Sequence, residues 1–560
     1  MMEMIVQLLL LFVLQSSLYT LSFIAAESLT RKAFPNQLQF WKLWSKDVAP
    51  SINVLGQTLG GYLATGIFMF YAIAFYTFVT KNLGWWAPAD TNYNPNLLAA
   101  YFPWLTSIGI SLGAGFWEEC LFRAVPLAGA ALIGDKFGKR NIFIGIAFVF
   151  QAIIFGAAHA NYPVQPAYAR LIELMIPSFL FGYIYLRFGL LAGIIMHYAY
   201  DVVMISLQLF TADVPGIIFQ RIMVLMFLFI PLWVILFYRF KSGTWISSLT
   251  GKYNLDWEVP LVKENPQEVL PDDNDSVIQS NLITYKNMLM LGIIGSFLWI
   301  STGTFKADQP KMEITKNEAI YIANKALKDY GFEPDSQWTM ETRHNSWEGQ
   351  NDRFIWQEYG KNTYYNLRGK YLGVPVWEIR HRKYSGEVAQ RAEQISCYVN
   401  PTGEKTSIRH MLPETRDGGI LSEEEARTMV LDHVLNKYGI EVNMLDELEA
   451  KSSKKPNRVD WNFIFEDVTS FKLDEGKLQI SVNISGNKVT GSNRYVFVPE
   501  EWKRQEEEKK SRWNPVQIIL GLVKTFSIAF ILMFGAIRWT KKEFNVKLFL
   551  QAFVFLLIIG

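Results

Sequence analysis

Apolar stretches near the ~20 residues that a bilayer-crossing helix needs recur along this chain. They lie around 4–26, 54–80, 98–117, 141–159, 171–187, 189–209, 217–238, 287–304, 516–537 and 547–560. Hydrocarbon offers no hydrogen bonds to a bare backbone, so such segments are confined to helices that satisfy their own N–H and C=O groups. The expected fold is therefore an α-helical multi-pass membrane bundle. One further stretch, 118–134, is apolar but interrupted by Glu118, Glu119 and Arg123. It either extends the preceding helix or forms a short re-entrant piece.

Charge divides the remainder. Half of the 560 residues are hydrophobic and 19% are charged, an average over two unlike parts, since the charges crowd into 305–513. That region reads as a soluble α+β domain inserted in the membrane fold. The expected division is a bundle over 1–240 with its core at about 95–210, a cytoplasmic linker over 241–286 and a membrane helix at 287–304. A duplicated α+β domain at 305–513 and C-terminal membrane helices over 514–560 complete it. A net charge of only +2 argues against a nucleic-acid partner. The two cysteines, Cys120 and Cys397, fall in different parts, which leaves no disulfide framework and no cysteine-rich zinc site.

The duplication is visible in one phrase. Ile314-Thr315-Lys316-Asn317-Glu318-Ala319 opens a helix ending near Tyr330-Gly331, and Leu421-Ser422-Glu423-Glu424-Glu425-Ala426 opens another ending near Tyr438-Gly439. In each, Thr or Ser precedes Glu by three residues, a capping box, and Gly stands where a C-cap belongs. Aromatic-rich alternating stretches follow both, as strands would. The pattern resembles PepSY-type modules, which implies an extracytoplasmic setting.

Within the apolar first half the ionisable residues form three signatures: Glu118-Glu119-x-x-x-Arg123, Phe155-x-x-x-His159 and His197-x-x-x-Asp201. Each Asp, Lys or Arg at a helix centre costs roughly 2.5–3.5 kcal/mol on insertion scales. Residues four apart share a helix face, so Glu119 meets Arg123 and His197 meets Asp201. Such a set in neighbouring spans points to a buried polar site that does chemistry. Glu173, in another span, is left outside it.

The order EExxxR, FxxxH, HxxxN/D on successive hydrophobic segments resembles the CPBP family of intramembrane proteases. That family includes the type II CAAX prenyl endopeptidases and bacteriocin-immunity relatives. Ala124 stands where the family often has glycine, and Asp201 where asparagine is frequent. The resemblance implies an endopeptidase acting on a membrane-associated, in the family's best-known case lipidated, peptide or protein. It pairs Glu118 with His159 in activating water. His197 would face the oxyanion, and Asp201, unable to donate as a carboxylate, either orients His197 or stays protonated. Glu119 and Arg123 read as an internal ion pair. Glu118, His159 and His197 could also hold Zn, as a metalloprotease would, although no HExxH helix is present.

Two other classes keep ionisable groups in spans: a non-catalytic binding or bacteriocin-immunity protein, and a transporter. No inverted repeat of the spans favours the last. Arg31, Lys32, Lys42, Lys46, Lys136, Lys139, Arg140, Arg239, Lys241, Lys252, Arg538, Lys541, Lys542 and Lys547 all fall on one side if the spans alternate, the cytoplasmic side. The 305–513 domain is then extracytoplasmic, on a protein of the cell membrane. Simple alternation puts Glu118 and His159 at opposite depths, so their meeting requires a tilted, broken or re-entrant helix.

Overall fold

The computed structural model describes residues 2–87, 96–159, 162, 164–246, 249, 251–254, 275–303, 310–345, 349–468, 471–540 and isolated positions from 547 to 554. The first part is helical: α1 (Met2–Ala33), α2 (Ile52–Asn82), α3 (Pro103–Glu119), α4 (Val125–Lys136), α5 (Arg140–Ala158), α6 (Ala169–Phe188), α7 (Leu190–Thr211), α8 (Ile217–Leu228) and α9 (Ile230–Ser242). Five of the described helices are long and apolar enough to cross a membrane, and α8 with α9, bent by 60°, makes a sixth candidate. By length and composition these helices point to a membrane protein. The stretch expected as one span at 217–238 is thus broken at Phe229, where Pro231 opens α9.

Glu118 and Glu119 do not end a span. A five-residue π turn, Cys120–Ala124, joins α3 to α4, so Pro103–Lys136 is one helical run. Pro126 explains the turn. It has no N–H for the Phe122 carbonyl, and its ring would crowd that carbonyl in a regular helix. The chain widens instead, and the Val125 N–H bonds back to Cys120 O. This resolves the depth conflict. Glu118 stands eighteen residues before Lys136 and His159 nineteen after Arg140, which is about 27 and 28 Å of antiparallel helix at ~1.5 Å per residue.

α7 is the central helix, buried at every position from Leu190 through Tyr200. Glycines admit its neighbours. A Cβ on Gly61 of α2 would stand 2.7 Å from Ile195, and one on Gly115 of α3 would stand 2.9 Å from the Tyr198 amide.

α10 (Asp275–Thr302) covers the span expected at 287–304 as far as Thr302. It begins inside the stretch expected as linker, of which 247–248, 250 and 255–274 lie outside the described residues. The span expected at 547–560 also lies outside them apart from the isolated positions. There follow α11 (Lys316–Asp329), β1 (Trp338–Asn345), α12 (Gln350–Leu367), β2 (Val376–Lys383), a short α13 (Val388–Arg391), β3 (Gln394–Val399) and β4 (Thr406–Met411). The second half has α14 (Glu423–Tyr438), β5 (Leu445–Lys455), β6 (Arg458–Asp467), β7 (Lys477–Ser485) and β8 (Lys488–Phe497), before the long α15 (Glu500–Thr540). Each half is a helix followed by a four-stranded antiparallel meander, β1-β2-β3-β4 and β5-β6-β7-β8. Both capping boxes are formed, with Thr315 N–H donating to Glu318 at 2.7 Å and Ser422 N–H to Glu425 at 2.8 Å. α12 is an insertion in the first half alone.

The two ends of the bundle differ. At one end the loops after α1 and α9 pair, with Gln39 N–H donating to Lys252 O at 3.0 Å and Ile246 N–H to Pro50 O at 2.8 Å, and Arg140 at the start of α5 donates to Ala33 O at the end of α1. The basic residues of those loops gather there. At the other end the sheet-bearing region docks, with Asp213 N–H on Met312 O at 2.8 Å, Lys316 Nζ on Ala99 O at 3.1 Å and Trp356 Nε1 on Trp85 O at 3.3 Å. An apolar core runs from Tyr198, Val202 and Leu209 on α7 through Met312 and Ile314 to Trp377 and Ile395.

Candidate active site

The three signatures converge from α3, α5 and α7. Glu118 Oε2 lies 3.8 Å from His159 Nε2 and 3.7 Å from His197 Nε2. A gap of that size is too long for a direct hydrogen bond and leaves the Glu118 carboxylate and the imidazole nitrogens within reach of one shared water.

His159 caps the C-terminal end of α5, and its Nδ1 lies 2.8 Å from the Phe155 carbonyl oxygen. A carbonyl only accepts, so the ring proton sits on Nδ1 and Nε2 offers a lone pair toward Glu118. The phenylalanine of the FxxxH signature also packs: the Phe155 ring stands 4.6 Å from the His159 ring and edge-on to His197 at 6.0 Å.

His197 is held from the other side. Its Nδ1 donates to Glu119 Oε1 at 2.9 Å, and its Nε2 faces Glu118 at 3.7 Å and Asp201 Oδ2 at 3.6 Å. Glu119 thus does more than pair with Arg123, whose Nε is 3.7 Å from Glu119 Oε2, both side chains having no exposure. The Arg123 guanidinium lies 4.0 Å from the Phe155 ring centre and 5.0 Å from that of Phe181, faces that attract a cation. Gly193, one turn before His197, makes room for Glu119: a Cβ there would stand 3.2 Å from Glu119 Oε2.

Three groups that the spacing did not single out sit beside this cluster. Arg170 and Glu173, three apart on α6, form a buried pair at 2.5 Å, and Tyr76 donates to the same Glu173 oxygen at 2.6 Å. Tyr162, three residues after His159, lies under the Arg170 guanidinium at 4.6 Å and 6.0 Å from the His159 ring. The signal for Arg170 and Glu173 was present as two opposite charges one turn apart in an apolar span. Tyr162 carries no such signal, because tyrosines are frequent near membrane ends.

Among the described residues no group of three His, Cys, Asp or Glu side chains is disposed to hold a metal ion. The metalloprotease reading of Glu118, His159 and His197 with Zn finds no support in this geometry. The histidines outside the bundle are packing residues, His344 against the Trp377 ring at 5.5 Å and His433 on Ser492 at 2.9 Å.

Residues 100–203 match the family model described as type II CAAX prenyl endopeptidase Rce1-like. The match spans all three signatures and runs from before α3 into α7. Over that stretch the chain is similar to a peptidase family. No curated protein and no solved structure matches the chain.

Proposed function

We propose that this protein is an intramembrane endopeptidase that hydrolyses a peptide bond of a membrane-associated protein with water activated by Glu118 and His159. The observation that carries the reading is Glu118 Oε2 facing two imidazole Nε2 atoms at 3.7–3.8 Å within a segment similar to Rce1-like peptidases.

A water between Glu118 and His159 gives one hydrogen to the carboxylate and the other to the unprotonated Nε2, which points its lone pairs outward. As its oxygen attacks the scissile carbonyl, Glu118 takes the proton and returns it to the leaving amine. Glu119, through the Nδ1 of His197, keeps that ring aimed at Glu118 and Asp201. Each step uses groups already within hydrogen-bond or single-water reach, and none needs a metal.

The basic loops gathered at one end are read as cytoplasmic and the sheet-bearing region at the other end as extracytoplasmic. A site in the bundle close to that second end suits a substrate anchored in the membrane by a lipid chain or an apolar segment. The test compares peptide termini in membranes from cells making the native chain or Glu118→Gln. Cleaved ends that vanish with Glu118→Gln establish the peptidase and give its substrate. Identical profiles at equal expression overturn the reading in favour of a non-catalytic binding or immunity role.

A further inference from the structure

Amide hydrolysis places negative charge on the carbonyl oxygen, and a hydrogen-bond donor at that oxygen is worth about 10²–10³ in rate. The signature residues leave this role poorly filled. The N–H of His159 is committed to Phe155 O. Asp201 and Glu118 are carboxylates and accept. His197 gives Nδ1–H to Glu119, and its Nε2 faces two carboxylates that compete for any proton there. Arg123 is wholly buried between Glu119 and the faces of Phe155 and Phe181.

Tyr162 fills the gap. The residue is 41% exposed, unlike the signature residues, and its ring stands 6.0 Å from the His159 ring, centre to centre. Arg170 steadies it, with its guanidinium 4.6 Å from the centre of the Tyr162 ring. Arg170 is itself fixed by Glu173 at 2.5 Å and by the Tyr76 hydroxyl at 3.3 Å. Tyr76 donates to Glu173 and so has no hydrogen left for a substrate.

We propose that Tyr162 is a catalytic residue whose phenol O–H donates to the oxyanion of the tetrahedral intermediate, and that Arg170 is a positioning residue holding the phenol there. No bond to Tyr162 forms or breaks; the phenol keeps its proton throughout. The inference rests on the peptidase reading above, and its test separates the two.

The cleavage identified as Glu118-dependent is measured as a rate against substrate concentration for the native chain, Glu118→Gln, Tyr162→Phe, Arg170→Lys and Arg170→Met. Tyr162→Phe is expected to lower kcat about 100-fold with KM within threefold and an unchanged melting midpoint. Arg170→Met is expected to lower kcat in the same sense, with partial recovery in Arg170→Lys, which keeps the charge beside the phenol. If Glu118→Gln is inactive while Tyr162→Phe keeps kcat within threefold of native, the oxyanion role falls and the peptidase reading stands. A raised KM with unchanged kcat also overturns it, because such a change reports binding shared equally by ground and transition states. If the native chain shows no Glu118-dependent cleavage, both readings fall.

Discussion

The Nδ1 of His159 and the carbonyl oxygen of Phe155, one helical turn back, are 2.8 Å apart. That contact decides which nitrogen of His159 is free, and the free one faces Glu118 at 3.8 Å. The last residue of the FxxxH signature is therefore as functional as the first is structural: the helix end that leaves the Phe155 carbonyl available also sets the tautomer of the histidine.

His159→Gln replaces the basic imidazole nitrogen at the water site with a non-basic amide while keeping a polar side chain. The expected result is a kcat lower by about 10²–10⁴-fold, the usual range for losing a proton-transfer partner, at unchanged expression and melting midpoint. Native-like kcat would take His159 out of water activation.

Gly193→Ala places a methyl 3.2 Å from Glu119 Oε2. Glu119 must shift, and with it the 2.9 Å bond that aims His197. Activity should fall about tenfold, equivalent to ~1.4 kcal/mol in the barrier. Helix stability should not suffer, since Ala is favoured over Gly by about 1 kcal/mol in a helix interior. Full activity in this variant would show that Glu119 has slack.

Arg123→Leu leaves Glu119 buried without its cation. Breaking one partner of a buried pair costs about 3–5 kcal/mol, so denaturation should occur at clearly lower temperature or denaturant. The double change Arg123→Leu with Glu119→Gln should cost less than the single one, because no lone charge remains. A single variant as stable as native would mean that the pair carries no such weight.

In the sheet-bearing region, burial, with the Lys437 charge adding to it, lowers His433 to about 4 from its ordinary 6.5. The unfolded chain binds the proton first, so the contribution of neutral His433 is complete above pH 6.5. It is lost as pH falls toward 4. The melting midpoint of the sheet-bearing transition should drop across that window, and His433→Gln should flatten the drop. Equal slopes in both proteins would remove His433 as the cause.

The water-based route also predicts that Glu118-dependent cleavage survives dialysis against 1,10-phenanthroline, with zinc well below one per chain by elemental analysis. Loss of activity restored by added zinc would put a metal among Glu118, His159 and His197.

Local regularities were legible in the sequence because they depend on short spacing alone. The apolar runs specify membrane helices, four-residue spacing joins Glu119 to Arg123 and His197 to Asp201, and Thr315/Glu318 and Ser422/Glu425 announce two helix starts. The convergence of Glu118, His159 and His197 was inferred only through the order of the signatures. What tertiary structure alone decided is how those pieces meet. The π turn at Cys120–Ala124 carries the helix past Glu119 and sets Glu118 level with His159. Glycines at 61, 115 and 193 let α7 approach its neighbours closely enough for His197 to reach Glu119. Tyr162 comes under Arg170 only because the chain after α5 folds against the start of α6. Spacing along one helix fixes which residues share a face, but contact between helices depends on tilt, depth and close-packed small residues. Those are properties of the assembled bundle, so no single segment encodes them.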